Sequence, residues 1–157
     1  MSGPSVIYFD CEFTSLLDPA LISIGLVAPD GDELYVELDD WTVRRCTPFV
    51  RGTVLPLLGG AGCSREEARW LVKAFLGRYP GAALCTDAVD YDAPLLAELL
   101  DEQIQHEFVA PALSGDEQKA AWSAGSEAAY AGGLRRHHAL DDAKALLAGA
   151  IAAALHG

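Results

Sequence analysis

Leu21-Ile22-Ser23-Ile24-Gly25-Leu26-Val27-Ala28-Pro29-Asp30-Gly31-Asp32-Glu33-Leu34-Tyr35-Val36-Glu37-Leu38 reads as two strands folded about a turn. The apolar run 21–28 meets Pro-Asp-Gly-Asp, residues that supply turn geometry, and the chain returns over 33–38 with the period of two that a half-buried strand requires. Upstream, Val6-Ile7-Tyr8-Phe9-Asp10-Cys11-Glu12-Phe13 is β-branched and aromatic and is a strand of its own, interrupted by two acids. Downstream, Ser64-Arg65-Glu66-Glu67 is a capping box ahead of Leu71, Val72, Phe75 and Leu76 at helical spacing, and Pro80-Gly81 ends that helix. A short strand over 82–86 and a helix carrying Pro94 in its first turn follow. Glu107-Phe108-Val109, within 103–112, supplies one more strand. The closing helix, 140–155, is expected to face the sheet with Leu140, Ala143, Leu147, Ala150, Ile151 and Ala154. An antiparallel hairpin followed by alternating helices and strands predicts an α/β domain, a mixed sheet with packed helices, over residues 5–157. Two stretches carry no regular assignment: 39–62, read as a long connection because of Pro48, Pro56 and Gly59-Gly60, and 115–133, where alanines mix with glycines and serines.

The chain has 157 residues, 51% of them hydrophobic, which suits one domain with a core and excludes a disordered tail. Eleven basic against 23 acidic residues leave a net charge of −12, so capture of nucleic acid by a positive surface is excluded and any such role needs local cations. Residues 1–4 lack a signal pattern and no apolar run reaches the roughly 20 residues of a membrane helix, so a cytoplasmic protein without membrane attachment is expected. Cys11, Cys46, Cys63 and Cys85 form no Cys-x-x-Cys pair and are expected as reduced, mostly buried thiols. Trp70, on the first predicted helix, is expected to pack.

Three clusters can carry chemistry. Asp10 and Glu12, two apart on a strand, project to one face while Cys11 points away. Carboxylates side by side on an apolar strand either sit at a solvated strand end or share a divalent cation such as Mg²⁺ or Mn²⁺. The second cluster, Asp87-Ala88-Val89-Asp90-Tyr91-Asp92, lies where a strand passes into a helix, the usual ligand position of α/β sheets. Asp90 is the candidate helix cap there and Asp92 the candidate metal ligand. The third is Arg135-Arg136-His137-His138-Ala139-Leu140-Asp141-Asp142. Five residues of helix turn through about 500°, leaving ends about 140° apart, so His137 meets Asp142 only from a loop ahead of the helix. The competing arrangement pairs His138 with Asp142 at i and i+4, and the plainest one leaves both histidines solvated.

In this order the clusters resemble the DEDDh family of 3′→5′ exonucleases. Phe9-Asp10-Cys11-Glu12-Phe13-Thr14 is similar to that family's Asp-x-Glu motif, Tyr91-Asp92-Ala93-Pro94-Leu95-Leu96 to its second, and His137-His138-Ala139-Leu140-Asp141-Asp142 to its His-x-Ala-x-x-Asp motif. The hairpin and compact length look closest to the small bacterial, mycobacterial-type, adenylate-preferring exoribonucleases of the family. Two departures stand out. Thr14-Ser15 replaces the usual Thr-Gly, and Asp87-Ala88-Val89-Asp90 replaces the usual Asn-Ala, which leaves the middle ligand open between Asp92 and Asp90.

The resemblance implies a ribonuclease H-like sheet and two-metal hydrolysis of single-stranded RNA, with single-stranded DNA or non-catalytic nucleic-acid binding as alternatives. It implies that Asp10 bridges two Mg²⁺ or Mn²⁺ ions, that Glu12, Asp92 and Asp142 complete their shells, and that His137 is the general base. Imidazole suits that task because its ordinary pKa leaves it neutral at pH 7. Phe13 and Thr14 become substrate contacts, Phe13 by stacking on the terminal base, set against packing in the core as its other reading. Arg135 and Arg136, with Arg44, Arg45 and Arg51, become candidate phosphate contacts, set against the ordinary fate of surface arginines as solvated or loosely paired groups. A homodimer is expected by the same analogy.

Overall fold

The computed structural model describes residues 5–101 and 105–156. The N-terminal stretch 1–4, residues 103 and 104 of the segment read as the last strand, and residue 157 lie outside the described residues. Five strands, β1 (Val6–Phe13), β2 (Leu21–Val27), β3 (Glu33–Glu37), β4 (Ala83–Cys85) and β5 (Phe108–Val109), form one mixed sheet in the order β3-β2-β1-β4-β5. The first three pair antiparallel, and β4 and β5 add in parallel. The helices are α1 (Pro48–Thr53), α2 (Arg65–Gly77), α3 (Val89–Leu100), α4 (Gly115–Ala131) and α5 (Ala139–Ala154). No helix of the described residues is long and apolar enough to cross a membrane.

Strand β1 is central, and its alternation divides the molecule. Ile7, Phe9 and Cys11 point into a core shared with Val72 and Phe75 of α2 and Leu96 and Leu99 of α3. The opposite face, carrying Tyr8, Asp10 and Glu12, lies under α5 and α4. Strand β2 is buried along its whole length because helices cover both of its faces, which is why it is a continuous apolar run. Ser64 Oγ accepts from Glu67 N (3.1 Å) at the start of α2, as the capping box predicts.

Four expectations need correction. The connection 39–62 contains α1: Thr47 Oγ1 accepts from Val50 N (3.2 Å) and Pro48 takes the first helical position, a cap-plus-proline start hidden among the later glycines and Pro56. The stretch 115–133, left without an assignment, is the 17-residue helix α4 up to Ala131. Its small residues are a packing device, since a Cβ on Gly125 would lie 2.6 Å from Ala152 Cβ and one on Gly149 2.7 Å from Ser126 Oγ, so α4 and α5 touch almost backbone to backbone. Helix α5 is rotated from the expected face: Ala139, Ala143, Leu146, Gly149 and Ala153 are buried, whereas Ile151 is 58% exposed. Small residues dominate the inner face because α4 approaches closely there, with Leu146 the one large side chain among them. Trp70 is 68% exposed and does not pack in the core.

The long connection is tied to the sheet by a buried carboxylate. Glu37 accepts from Gly59 N (2.7 Å), Gly60 N (3.1 Å) and Tyr35 Oη (2.6 Å), so its buried oxygens are satisfied. All four cysteines are free, with Cys63 half-buried and the others buried.

Candidate metal centre

Asp10 and Glu12 stand half-buried on the same face of β1, and the strand register shifts between Glu12 and Phe13, a bulge that ends regular pairing at the acids. Opposite Asp10 in the sheet is Gly25 of β2. A Cβ there would sit 2.3 Å from Leu140 Cα and 2.6 Å from Ala139 C. The first turn of α5 therefore rests directly on the sheet, and that contact delivers Asp142 to the acids.

Helix α5 begins at Ala139 with His138 as its N-cap, which leaves His137 on the preceding loop, the placement that convergence with Asp142 demands. His137 has φ = 67°, a left-handed backbone rare outside glycine, and its N–H donates to Asp142 Oδ2 (3.1 Å). Ligand atoms of Glu12, His137 and Asp142 all lie within 4.8 Å of one another. The ring of His137 meets the edge of Phe49, which is 59% exposed on α1. His138 does something else: buried against Tyr35 (centroids 4.4 Å apart), its Nδ1 receives Asp141 N–H at 3.4 Å. Burial holds its pKa below the ordinary range, in keeping with a neutral ring that accepts. The alternative of His138 and Asp142 as a helical metal pair is thereby corrected.

Asp92 is the middle acid that joins the cluster. Helix α3 starts at Val89, five residues before Pro94, so Pro94 is inside the helix and Asp90 occupies the exposed first turn rather than the cap. The N-cap is Ala88, with no side-chain cap, and Thr86, fully buried just after β4, holds the turn ahead of it. Its hydroxyl accepts from Ala88 N (3.2 Å) and donates to Asp92 Oδ2 (2.6 Å). Asp92 Oδ1 is buried without a hydrogen-bond partner among the described residues.

Burial and mutual repulsion dominate the electrostatics. Asp10 is held well above the usual carboxylate range by burial and then by Asp92, Glu12 and Asp142. Burial first and Asp142 second push Glu12 up to about 8. Burial lifts Asp92 to about 7 against the opposing bond from Thr86. Asp142 is also raised by burial, although bonds from Tyr130, Glu12 and His137 favour its ionised form. Such a set either holds protons or holds cations. The orphaned Asp92 oxygen and an all-carboxylate donor set fit a hard divalent ion, Mg²⁺ or Mn²⁺, that takes oxygen ligands.

The remaining predicted residues divide. Phe13 is half-buried, packs against the main core as its alternative reading expected, and stacks on Tyr91 at 5.6 Å. Thr14 is fully buried; its hydroxyl accepts from Ala20 N (3.0 Å) and donates to Asp18 O (3.3 Å), so its side chain secures the loop after β1 instead of facing a ligand. Arg135 is bound to Asp141 (2.8 Å), away from the acids, whereas Arg136 lines a cavity of about 250 Å³ with Asp10, Asp87, Tyr130 and Asp142. Arg45 pairs with Asp18, and Arg51 donates to the carbonyls of Val43 and Arg44. Sequence reasoning missed Thr86, Gly25, Phe49 and Tyr130, whose hydroxyl donates to Asp142 Oδ1 (2.6 Å). A glycine in the middle of an apolar strand was the one available signal, for Gly25. No protein-family model matches the chain, and no curated protein matches it either.

Proposed function

We propose that the chain is a metal-dependent 3′→5′ exonuclease of the DEDDh type on a ribonuclease H-like fold, acting on single-stranded RNA and releasing nucleoside 5′-monophosphates. The observation that carries this reading is the meeting of Asp10 and Glu12 from β1, Asp92 from α3 and Asp142 from α5 beside His137 on its own loop. Side chains from separate segments have been brought together at the cost of crowded, buried negative charge, which the fold itself does not need.

Asp10, Glu12, Asp92 and Asp142 would hold two Mg²⁺ or Mn²⁺ ions. When bound, the ions supply about +4 of local charge for the scissile phosphate, offset the acidity of the chain, and acidify an attacking water. Every other task belongs to side chains. His137 stands within reach of the acids and takes the proton of the attacking water, its ring direction set by the strained backbone and by the edge of Phe49. Phe13, stacked on Tyr91, offers a face to the terminal base, and Arg136 offers a cation at the cavity rim. Ile151, exposed on α5, and Leu155, exposed just after it, are apolar surface that a second copy of the chain would cover, in line with a homodimer.

The triad of Glu12, His137 and Asp142 favours one other reading, a single-ion site in which His137 is a ligand. The two readings separate on His137→Ala, which keeps metal affinity and loses turnover if His137 is the base, but loses affinity if it is a ligand. The function itself is tested with matched 5′-labelled single-stranded RNA and DNA, in Mg²⁺ or Mn²⁺ and in EDTA. A ladder shortening from the 3′ end of RNA, abolished by EDTA and by Asp10→Ala, is expected. A ladder on DNA alone moves the substrate to DNA, and intact strands with metal bound leave a binding domain.

A further inference from the structure

The cavity beside the acids has a second wall, α4, to which the mechanism above gives no work. From that wall Tyr130 Oη donates to Asp142 Oδ1 (2.6 Å), while His137 N–H holds Oδ2 (3.1 Å). Asp142 is thus gripped at both oxygens, and since each carboxylate oxygen accepts twice, a cation that displaces the proton shared with Glu12 finds a place there while both grips stay. The same tyrosine carries the guanidinium of Arg136 over its ring, 4.1 Å from the centroid, and Glu127 tethers that guanidinium from the side. Tyr130, Arg136, Glu127, Asp10 and Asp142 all line the one cavity.

We propose that Tyr130 is a positioning residue with two jobs: its hydroxyl fixes the carboxylate of Asp142 for metal, and its ring shelves Arg136 for the substrate phosphate. The inference rests on the two-metal reading of the site. An aspartate in the first turn of a helix has rotamers to choose from, and a donor at 2.6 Å selects one of them. The Arg136–Glu127 pair is about half exposed at both ends, so an arriving phosphate exchanges for Glu127 at little cost. Phenylalanine would keep the shelf and lose the grip, which makes the two jobs separable.

The test uses the full chain and Mn²⁺ as probe, with affinity read by titration calorimetry or by the electron paramagnetic resonance of the free ion. Cleavage of a single-stranded oligonucleotide and melting in EDTA are measured alongside. Tyr130→Phe is expected to melt like wild type, to bind Mn²⁺ about tenfold more weakly and to lose kcat about tenfold at unchanged KM, the scale of one hydrogen bond to a charged group. Arg136→Ala is expected to raise KM and leave Mn²⁺ affinity alone. A purely structural tyrosine would lower the melting temperature and would not split affinity from KM in this way. Wild-type Mn²⁺ binding with an indifferent Tyr130→Phe overturns this proposal alone; a wild-type chain that binds no Mn²⁺ overturns the two-metal reading and this proposal with it.

Discussion

Replacing Gly25 with alanine tests how the site is assembled. A Cβ at this position would fall 2.3 Å from Leu140 Cα, 2.4 Å from Leu140 N and 2.6 Å from Ala139 C, all backbone atoms that cannot rotate away. Ordinary carbon contacts lie at about 3.5–4.0 Å, so the start of α5 must retreat by roughly 1–1.5 Å. Overpacking of this kind costs about 1–3 kcal/mol, which for a chain of this size lowers the melting temperature by roughly 3–10 °C. Activity suffers more than stability, because Asp142 lies two residues beyond Leu140 and a displacement of about 1 Å in a catalytic group costs on the order of 10²-fold in rate. Gly52→Ala in α1 is the control, since nothing lies within 4 Å of a Cβ there and a helical glycine gains from the change. The assay is thermal melting with kcat on a labelled oligonucleotide. A Gly25→Ala protein that melts and turns over like wild type would refute the claim that this contact seats Asp142.

The raised carboxyls make a pH prediction. Glu12 and Asp92, held at about 8 and about 7, keep protons in the folded chain that the unfolded chain has released, so their contribution to metal-free stability is full below the ordinary carboxylate range and is lost as pH rises towards about 8. Mg²⁺ is expected to stabilise more at about pH 8 than at about pH 5, and equal melting shifts at the two would contradict this. Thr86→Val removes the donor to Asp92 and the acceptor for Ala88 N, so calorimetry should show a loss of about 1–3 kcal/mol together with weaker metal binding, with Thr86→Ser close to wild type. His138→Ala should cost about 0.5–2 kcal/mol through the lost cap while keeping most turnover, whereas His137→Ala should do the reverse; chemical denaturation with steady-state kinetics separates the two.

Strong local periodicity carried much of this fold. The alternation of β1 put Asp10 and Glu12 on one face, the hairpin was written in its turn residues, and helical geometry restricted a meeting of His137 with Asp142 to a His137 ahead of α5, while leaving the pairing of His138 with Asp142 open. What stayed illegible depended on partners distant in sequence. Helix α4 could not be recognised because its glycines and serines make sense only against Gly149 and Ala148 of α5. The inner face of α5 went largely to small residues for the same reason, which left Leu140 and Leu147 half-buried and Ile151 exposed. Helix α3 starts at Val89 without a side-chain cap to announce it, and Pro94 drew attention to the wrong position. Asp92 could be separated from Asp90 only once the helix start was known. Tyr130 reaches Asp142 across a helix-helix contact that no spacing encodes.

The most direct test of the central claim is anomalous diffraction from crystals of the protein grown with Mn²⁺. The account predicts two peaks on the shared face of β1 and α5, about 3.5–4 Å apart, with Asp10 between them and Glu12, Asp92 and Asp142 around them. One peak held by Glu12, His137 and Asp142, or no peak at these acids, would contradict it.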